Sequence, residues 1–232
     1  MSEITTISYY DMIEKYLEIE TLSVVFIGDF NPTIFQPFWM SNKGIIRDDE
    51  AESARIEIIH NEVVRYEIGG WLGVDITRNR CEFKTTKKPY FDPLKDLIVG
   101  IFTILRETPI KSFGINNIYD LSLKTQEAYY NFGCALTPLI YWDELLNDPR
   151  LLQLEIYEAK RKENPNESRR IRVTPSDQIP PLGISVNVNN HYQLEGKDNG
   201  LIAANYFKER WNNAFKESES LVNNLLNKVF NQ

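Results

Sequence analysis

The chain has 232 residues, 42% of them hydrophobic and 12% aromatic, enough for a sizeable core in one large domain or two intimate half-domains. Lys and Arg total 26 against 33 Asp and Glu, a formal charge of -7, which argues against nonspecific nucleic-acid binding because phosphate contacts dominate that affinity. No apolar run approaches the roughly 20 residues of a membrane helix, and "MSEITTISYYDMIEKY" has neither the basic start nor the apolar core of a secretion signal.

In chain order, Tyr9, Met12, Ile13, Tyr16 and Leu17 stand at helical spacing and predict a short amphipathic helix. The run Val24 to Ile27 predicts a strand buried on both faces. Asn31 then suits a helix cap and Pro32 its first position, with Ile34, Phe35, Phe38 and Trp39 carried to a stop near Gly44. "ARIEIIHNEVVRYEI" predicts two strands around a turn.

The stretch "EIGGWLGVDITRNRCEF" invites a phosphate-loop reading. A loop of that type needs a lysine followed by serine or threonine between a strand and a helix. Here the glycines fall between two strands whose apolar faces keep a period of two, so Gly69, Gly70 and Gly73 predict a turn or bulge.

"FDPLKDLIVGIFTILRETP" predicts the clearest helix, capped by Asp92, with Leu94, Leu97, Ile98, Ile101, Phe102 and Leu105 on one stripe. "IKSFGINNIYDLSL" predicts a strand, and "TQEAYYNFGCALTPLIYWDELL" a helix broken near Pro138. Three further strands lead into a long closing helix, about 45 Å from Leu201 to Phe230 at about 1.5 Å per residue. The order indicates an α+β fold, with antiparallel or mixed sheets covered by helices and a long C-terminal helix. The chain reads as a single unit over residues 1–232. Two similar half-domains, 1–125 and 126–232, are the alternative.

Taken together, "VVFIGDFNPTIFQPFW", "KDLIVGIFTILRETPIKSFGINNIYDL", "RRIRVTPSD" and "VNVNNHYQL" resemble a widespread group of bacterial proteins of similar length with no established activity. The resemblance rests on a Phe-Asn-Pro turn, an Asp-Leu helix, Thr-Pro, Gly-Ile-Asn and a late Asn-His, and spans about residues 22 to 230. It implies one integral unit of bacterial type in the cytoplasm, and no mechanism. Two cysteines without a Cys-x-x-Cys pair agree with a reduced compartment.

Candidate chemistry is sparse. Ser185, Asn187, Asn189 and His191 alternate and share one strand face, a stripe of amides that could bind a small ligand or a peptide backbone, or simply meet solvent. Asn116 is unfavourable in a strand and predicts a hydrogen-bond partner, either backbone or ligand. Neither His60 nor His191 has metal-site spacing, so no metal or other cofactor is expected. Cys81 and Cys134 read as small core residues. Asp75, Glu82 and Lys84 loosely match a nuclease triad, although Asp75 has the opposite parity to the other two. Lys160, Arg161, Lys162, Arg169, Arg170 and Arg172 form the one basic cluster through which nucleic acid could be touched.

These features point to a non-enzymatic cytoplasmic protein working through protein contacts, as an oligomer or complex subunit. Trp211, Leu221, Leu225 and Val229 of the closing helix are the expected interface. Antiviral defence in bacteria is a contextual reading. A metal-dependent nuclease or other hydrolase with a scattered site is the rival.

Overall fold

The computed structural model describes residues 11–159, 161, 164–194 and 199–231, with only the backbone of Asp11. It is an α+β fold built on one open, antiparallel, nine-stranded sheet. The strands are β1 (Leu17–Gly28), β2 (Arg55–Ile59), β3 (Val63–Ile68), β4 (Leu72–Thr77), β5 (Arg80–Thr85), β6 (Ile110–Ser122), β7 (Leu154–Glu158), β8 (Glu167–Pro175) and β9 (Gly183–Gln193). The helices are α1 (Asp11–Tyr16), α2 (Pro37–Asn42), α3 (Asp48–Glu52), α4 (Phe91–Ile104), α5 (Gln126–Leu136) and α6 (Gly200–Phe230).

The strand order β2-β3-β4-β5-β1-β6-β9-β8-β7 is nearly symmetric about the β1–β6 pair. Each side of that pair repeats one plan: a central strand, one or two short helices, a run of antiparallel strands, and a covering helix. This symmetry places the join between α4 and β6, upstream of Thr125.

One face of the sheet holds the core. Leu22, Val24 and Phe26 of β1 face Phe83 and Cys81 of β5 and Ile115 and Phe113 of β6, and α4 and α6 lie across them. The predicted stripe of α4 is buried at Leu94, Leu97, Ile98, Ile101 and Phe102. A second cluster joins α1, α5 and the distal part of α6 to β8 and β9 through Met12, Ile13, Phe132, Val173, Val186, Val222 and Leu226.

Four expectations change locally. α4 starts at Phe91 with Tyr90 as its N-cap, so Asp92 lies inside the first turn and does not cap it. β1 is fully buried on its helix-covered side only: on the other, Ser23 is buried but Val25 is half-exposed and Ile27 exposed, because among the described residues no second layer covers that side. The helix after Asn31 is split: Asn31 caps a 3-10 turn over Pro32–Ile34, and α2 starts again at Pro37, whose ring fits a first turn but no helix interior. After Pro138 the α5 pattern does not resume, and only a 3-10 turn at Leu139–Tyr141 follows.

Gly69 and Gly70 form the hairpin turn between β3 and β4, and Gly73 lies within β4. Gly69 and Gly70 have φ +56° and +64°, and Trp71 N–H closes the turn on Ile68 O at 3.1 Å. Two successive positive φ angles match the twist of the flanking strands, which is why glycine stands at both. Trp71 stacks on Tyr90 with ring centroids 4.8 Å apart.

Candidate functional site

The helices all pack on one face, so the opposite face of the sheet is the most extensive open surface. Strand alternation decides which side chains reach it. Asn116 of β6 stands opposite Asn189 of β9, with Gly114 opposite His191 and Ile118 opposite Asn187. The four amide and histidine candidates therefore gather at the centre of the open face, all half-buried. Asn189 Nδ2 donates to Asn116 Oδ1 at 2.6 Å, and Asn116 Nδ2 donates to the Ser23 carbonyl at 3.0 Å. The partner expected for Asn116 is thus a backbone group and a second amide. Asn187 Oδ1 is buried without a hydrogen bond. Burial lowers the pKa of His191, the Arg170 charge lowers it further, and the Gln193 hydrogen bond acts the other way.

The rest of the face is a mosaic of charge pairs. Arg55 meets Glu67, Arg65 meets Asp75, Arg80 meets Glu82, and Glu155 meets both Arg170 and Arg172. The loose nuclease triad is corrected here. Asp75 pairs directly with Glu82, and Gly73 with Lys84, so Asp75, Glu82 and Lys84 do share a face. Across an antiparallel hairpin, residues of unlike parity can be opposite one another. Both carboxylates are already engaged, Asp75 by Arg65 at 2.8 Å and Glu82 by Arg80 at 2.8 Å and by Ser23 Oγ at 2.6 Å.

The basic cluster does not form one patch. Lys160 and Lys162 lie outside the described residues. Arg161 and Arg169 turn to the helix side, where both reach Glu217 of α6 and Arg161 also reaches Glu167. Arg170 and Arg172 turn to the open face. Alternation splits the run, and acids neutralise each part.

The interface residues proposed on α6 are also redistributed. Trp211 is buried, edge-on to Phe207 and tilted against Phe215, with its indole N–H donating to Asp92 at 3.2 Å, so it is not available to a partner. Leu221, Leu225 and Val229 are half-buried against the second cluster. The distal helix is covered in part by α1, where Ile13 N–H donates to Asn223 Oδ1 at 3.0 Å and Tyr16 stacks on Phe230. Cys81 is fully buried, which raises its thiol pKa, while Cys134 is half-exposed.

Exposed apolar surface sits elsewhere. In the segment after α5, Ile140 is 74% exposed, Tyr141 76%, Leu145 72% and Leu152 79%, with Trp142 and Leu146 about half exposed. This segment runs into β7, the edge strand of the sheet, whose Ile156 and Tyr157 are exposed as well. Little in the residue pattern signals it: apolar residues at 139, 140, 145, 146, 151 and 152 follow no single period.

At one end of the open face lies a trough of about 970 Å³. It crosses from the Gly70–Gly73 turn, past Lys84–Lys88 and Leu17–Thr21, to Ile118, Asp120, Ser185 and Thr174. Among the described residues no helix is long and apolar enough to cross a membrane, and no three His, Cys, Asp or Glu side chains come together as a metal site would need. No protein-family model and no curated protein matches the chain.

Proposed function

We propose that the protein works through contact with other proteins, as a subunit of an oligomer or complex, and that Leu139–Leu152 with edge strand β7 is the contact surface. The observation that carries this reading is the exposure of six large apolar side chains within 13 residues, Ile140 to Leu152. Soluble monomers seldom expose contiguous apolar patches of this kind, because each such side chain forgoes about 1.5–3 kcal/mol of burial. Beside them β7 pairs only with β8 among the described residues, and its other edge offers main-chain hydrogen bonds to the same partner. Light scattering on the full chain tests it. The parent is expected above its 27.1 kDa monomer mass, or bound to a protein of its own cell, and Leu145→Glu with Leu152→Glu is expected to release a folded monomer. A parent that stays monomeric, and returns no bound protein from its own cells, overturns the reading.

A second, hydrolytic reading draws on one observation, the shared face of Asp75, Glu82 and Lys84. Their engagement by Arg65, Arg80 and Ser23 weighs against it. Turnover of DNA or RNA that requires Mg²⁺ or Mn²⁺ and is lost in Asp75→Asn would favour it.

A further inference from the structure

β1 extends over Leu17–Gly28 and pairs with β6 from Leu17 onward, but β5 pairs with it only from Leu22 to Ile27. After Thr85 the chain leaves the sheet for the 3-10 turn Lys88–Tyr90. Among the described residues nothing pairs with the other edge of Leu17–Thr21. The nine-stranded sheet therefore has a bay near its centre, bordered by five residues of bare strand edge. At about 3.3 Å per residue that edge runs roughly 16 Å.

The other half of the fold shows what belongs in such a bay. There β9 holds the position that β5 holds in the first half, and it pairs with β6 over Ser112–Ser122, nearly the whole strand. The slot that β9 fills is the slot that β5 leaves empty. Unpaired main-chain N–H and C=O groups in a sheet form a template for another strand.

The trough of about 970 Å³ opens over this edge. Its floor has short or slim side chains: Ile19 and Thr21 of β1, Ile118 of β6, Ser185 of β9 and the bare backbone of Gly73, along which Lys84 lies. Among the described residues Lys84 and Lys87 line the trough without an acidic partner and Glu18 and Asp177 without a basic one, while Lys88 pairs with Glu20 at 3.1 Å. A lining of polar, oppositely charged and short side chains suits a peptide backbone better than an apolar ligand.

We infer that the bay takes an extended segment of another polypeptide. The guest strand continues the line of β5 and pairs with β1 across Glu18–Thr21, with an acidic side chain toward Lys84 and Lys87. This site is separate from the apolar segment at Leu139–Leu152, and either can fail without the other. The probe is a displayed library of unconstrained ten-residue peptides, panned on the full chain. Enriched peptides that carry an Asp or Glu together with a Lys or Arg are expected, with at least tenfold weaker binding to Thr21→Trp and to Ile118→Trp, both of which fill the trough from a half-buried position on the open face. Binding to Leu145→Glu should match the parent, which separates this site from the apolar one. Peptide should also slow hydrogen exchange at the outward amides of Glu18–Thr21. The inference is overturned if nothing is enriched, if the Trp variants that keep their parent unfolding temperature still bind fully, or if a synthetic Met1–Tyr10 peptide displaces the guest and shows the slot to be the chain's own.

Discussion

Asn117 offers the sharpest test of how this sheet is packed. It lies on β6 between Leu22 of β1 and Val188 of β9, on the helix-covered face, and is 0% exposed. Both Oδ1 and Nδ2 lack a hydrogen-bond partner among the described residues. A buried amide without partners costs about 1–3 kcal/mol relative to a matched apolar group. Leucine has the same branching, so Asn117→Leu should remove that cost and add apolar contact. Two methyls in place of the amide could offset about 1 kcal/mol through a tighter fit. The expected net gain is about 0–2 kcal/mol. For a chain of this size each kcal/mol moves Tm by roughly 2–4 °C, so the rise should reach up to about 8 °C. Urea unfolding of both proteins at one pH, with equal m values, provides the free energy. A variant that unfolds at lower urea with unchanged m would refute the reasoning. It would mean that the amide is satisfied in solution, by an ordered water bridging to the backbone.

The remaining predictions concern other parts of the frame. Glu167 accepts from Arg161 at 3.1 Å, Tyr206 at 3.0 Å and Asn164 at 3.1 Å, and Arg210 Nε lies 2.9 Å away as an ion contact without hydrogen-bond alignment; Glu167→Gln should therefore cost about 3 kcal/mol, near the low end for a buried pair because Arg210 is a third exposed, and a loss under about 1 kcal/mol in urea unfolding would count against the network. Phe102 touches Phe26, Phe30 and Phe35, so Phe102→Ala should cost about 3–5 kcal/mol, measured the same way. His191 has a lowered pKa from burial, so the unfolded chain takes up its proton first; its contribution is complete above about pH 6.5 and is lost as pH falls through the folded value, and the Tm-versus-pH slope below that point should flatten in His191→Gln. Thiol titration of the native protein should count one cysteine, Cys134, and titration in denaturant two, because Cys81 is enclosed.

Much of this fold was legible because period and burial agree. The α4 stripe follows a helical period, and five of its six predicted residues are buried. Ser185 to His191 alternate, and each residue faces the side its polarity suggests except Asn190, which is buried on the helix side and bonded to Arg169 and Ser218. The Gly69-Gly70 turn is dictated by backbone sterics, which are local. What was not legible depends on tertiary cover. Val24–Ile27 looks like a strand with two buried faces, and only the absence of a second layer leaves Val25 and Ile27 on the open side. Asp75 was placed on the wrong face because parity was counted along the chain, whereas the hairpin pairing sets it opposite Glu82.

The halves show the same limit from another direction. They share a topology yet match poorly in sequence, and their coverings explain why. The first half is roofed by α2, α3, α4 and the proximal part of α6. The second is roofed by α5, the distal part of α6, and α1, which comes from the other end of the chain. Equivalent strands therefore meet unlike neighbours: Phe83 and Cys81 of β5 join the first cluster with Leu94, Ile98 and Phe102 of α4, whereas Val186 and Val188 of β9 join the second with Val222 and Leu226 of α6. The strands differ in extent too: β5 pairs with β1 over six residues and ends at Thr85, where β9 pairs with β6 over eleven and runs on to Gln193. That shorter pairing is what leaves the Leu17–Thr21 edge of β1 bare among the described residues.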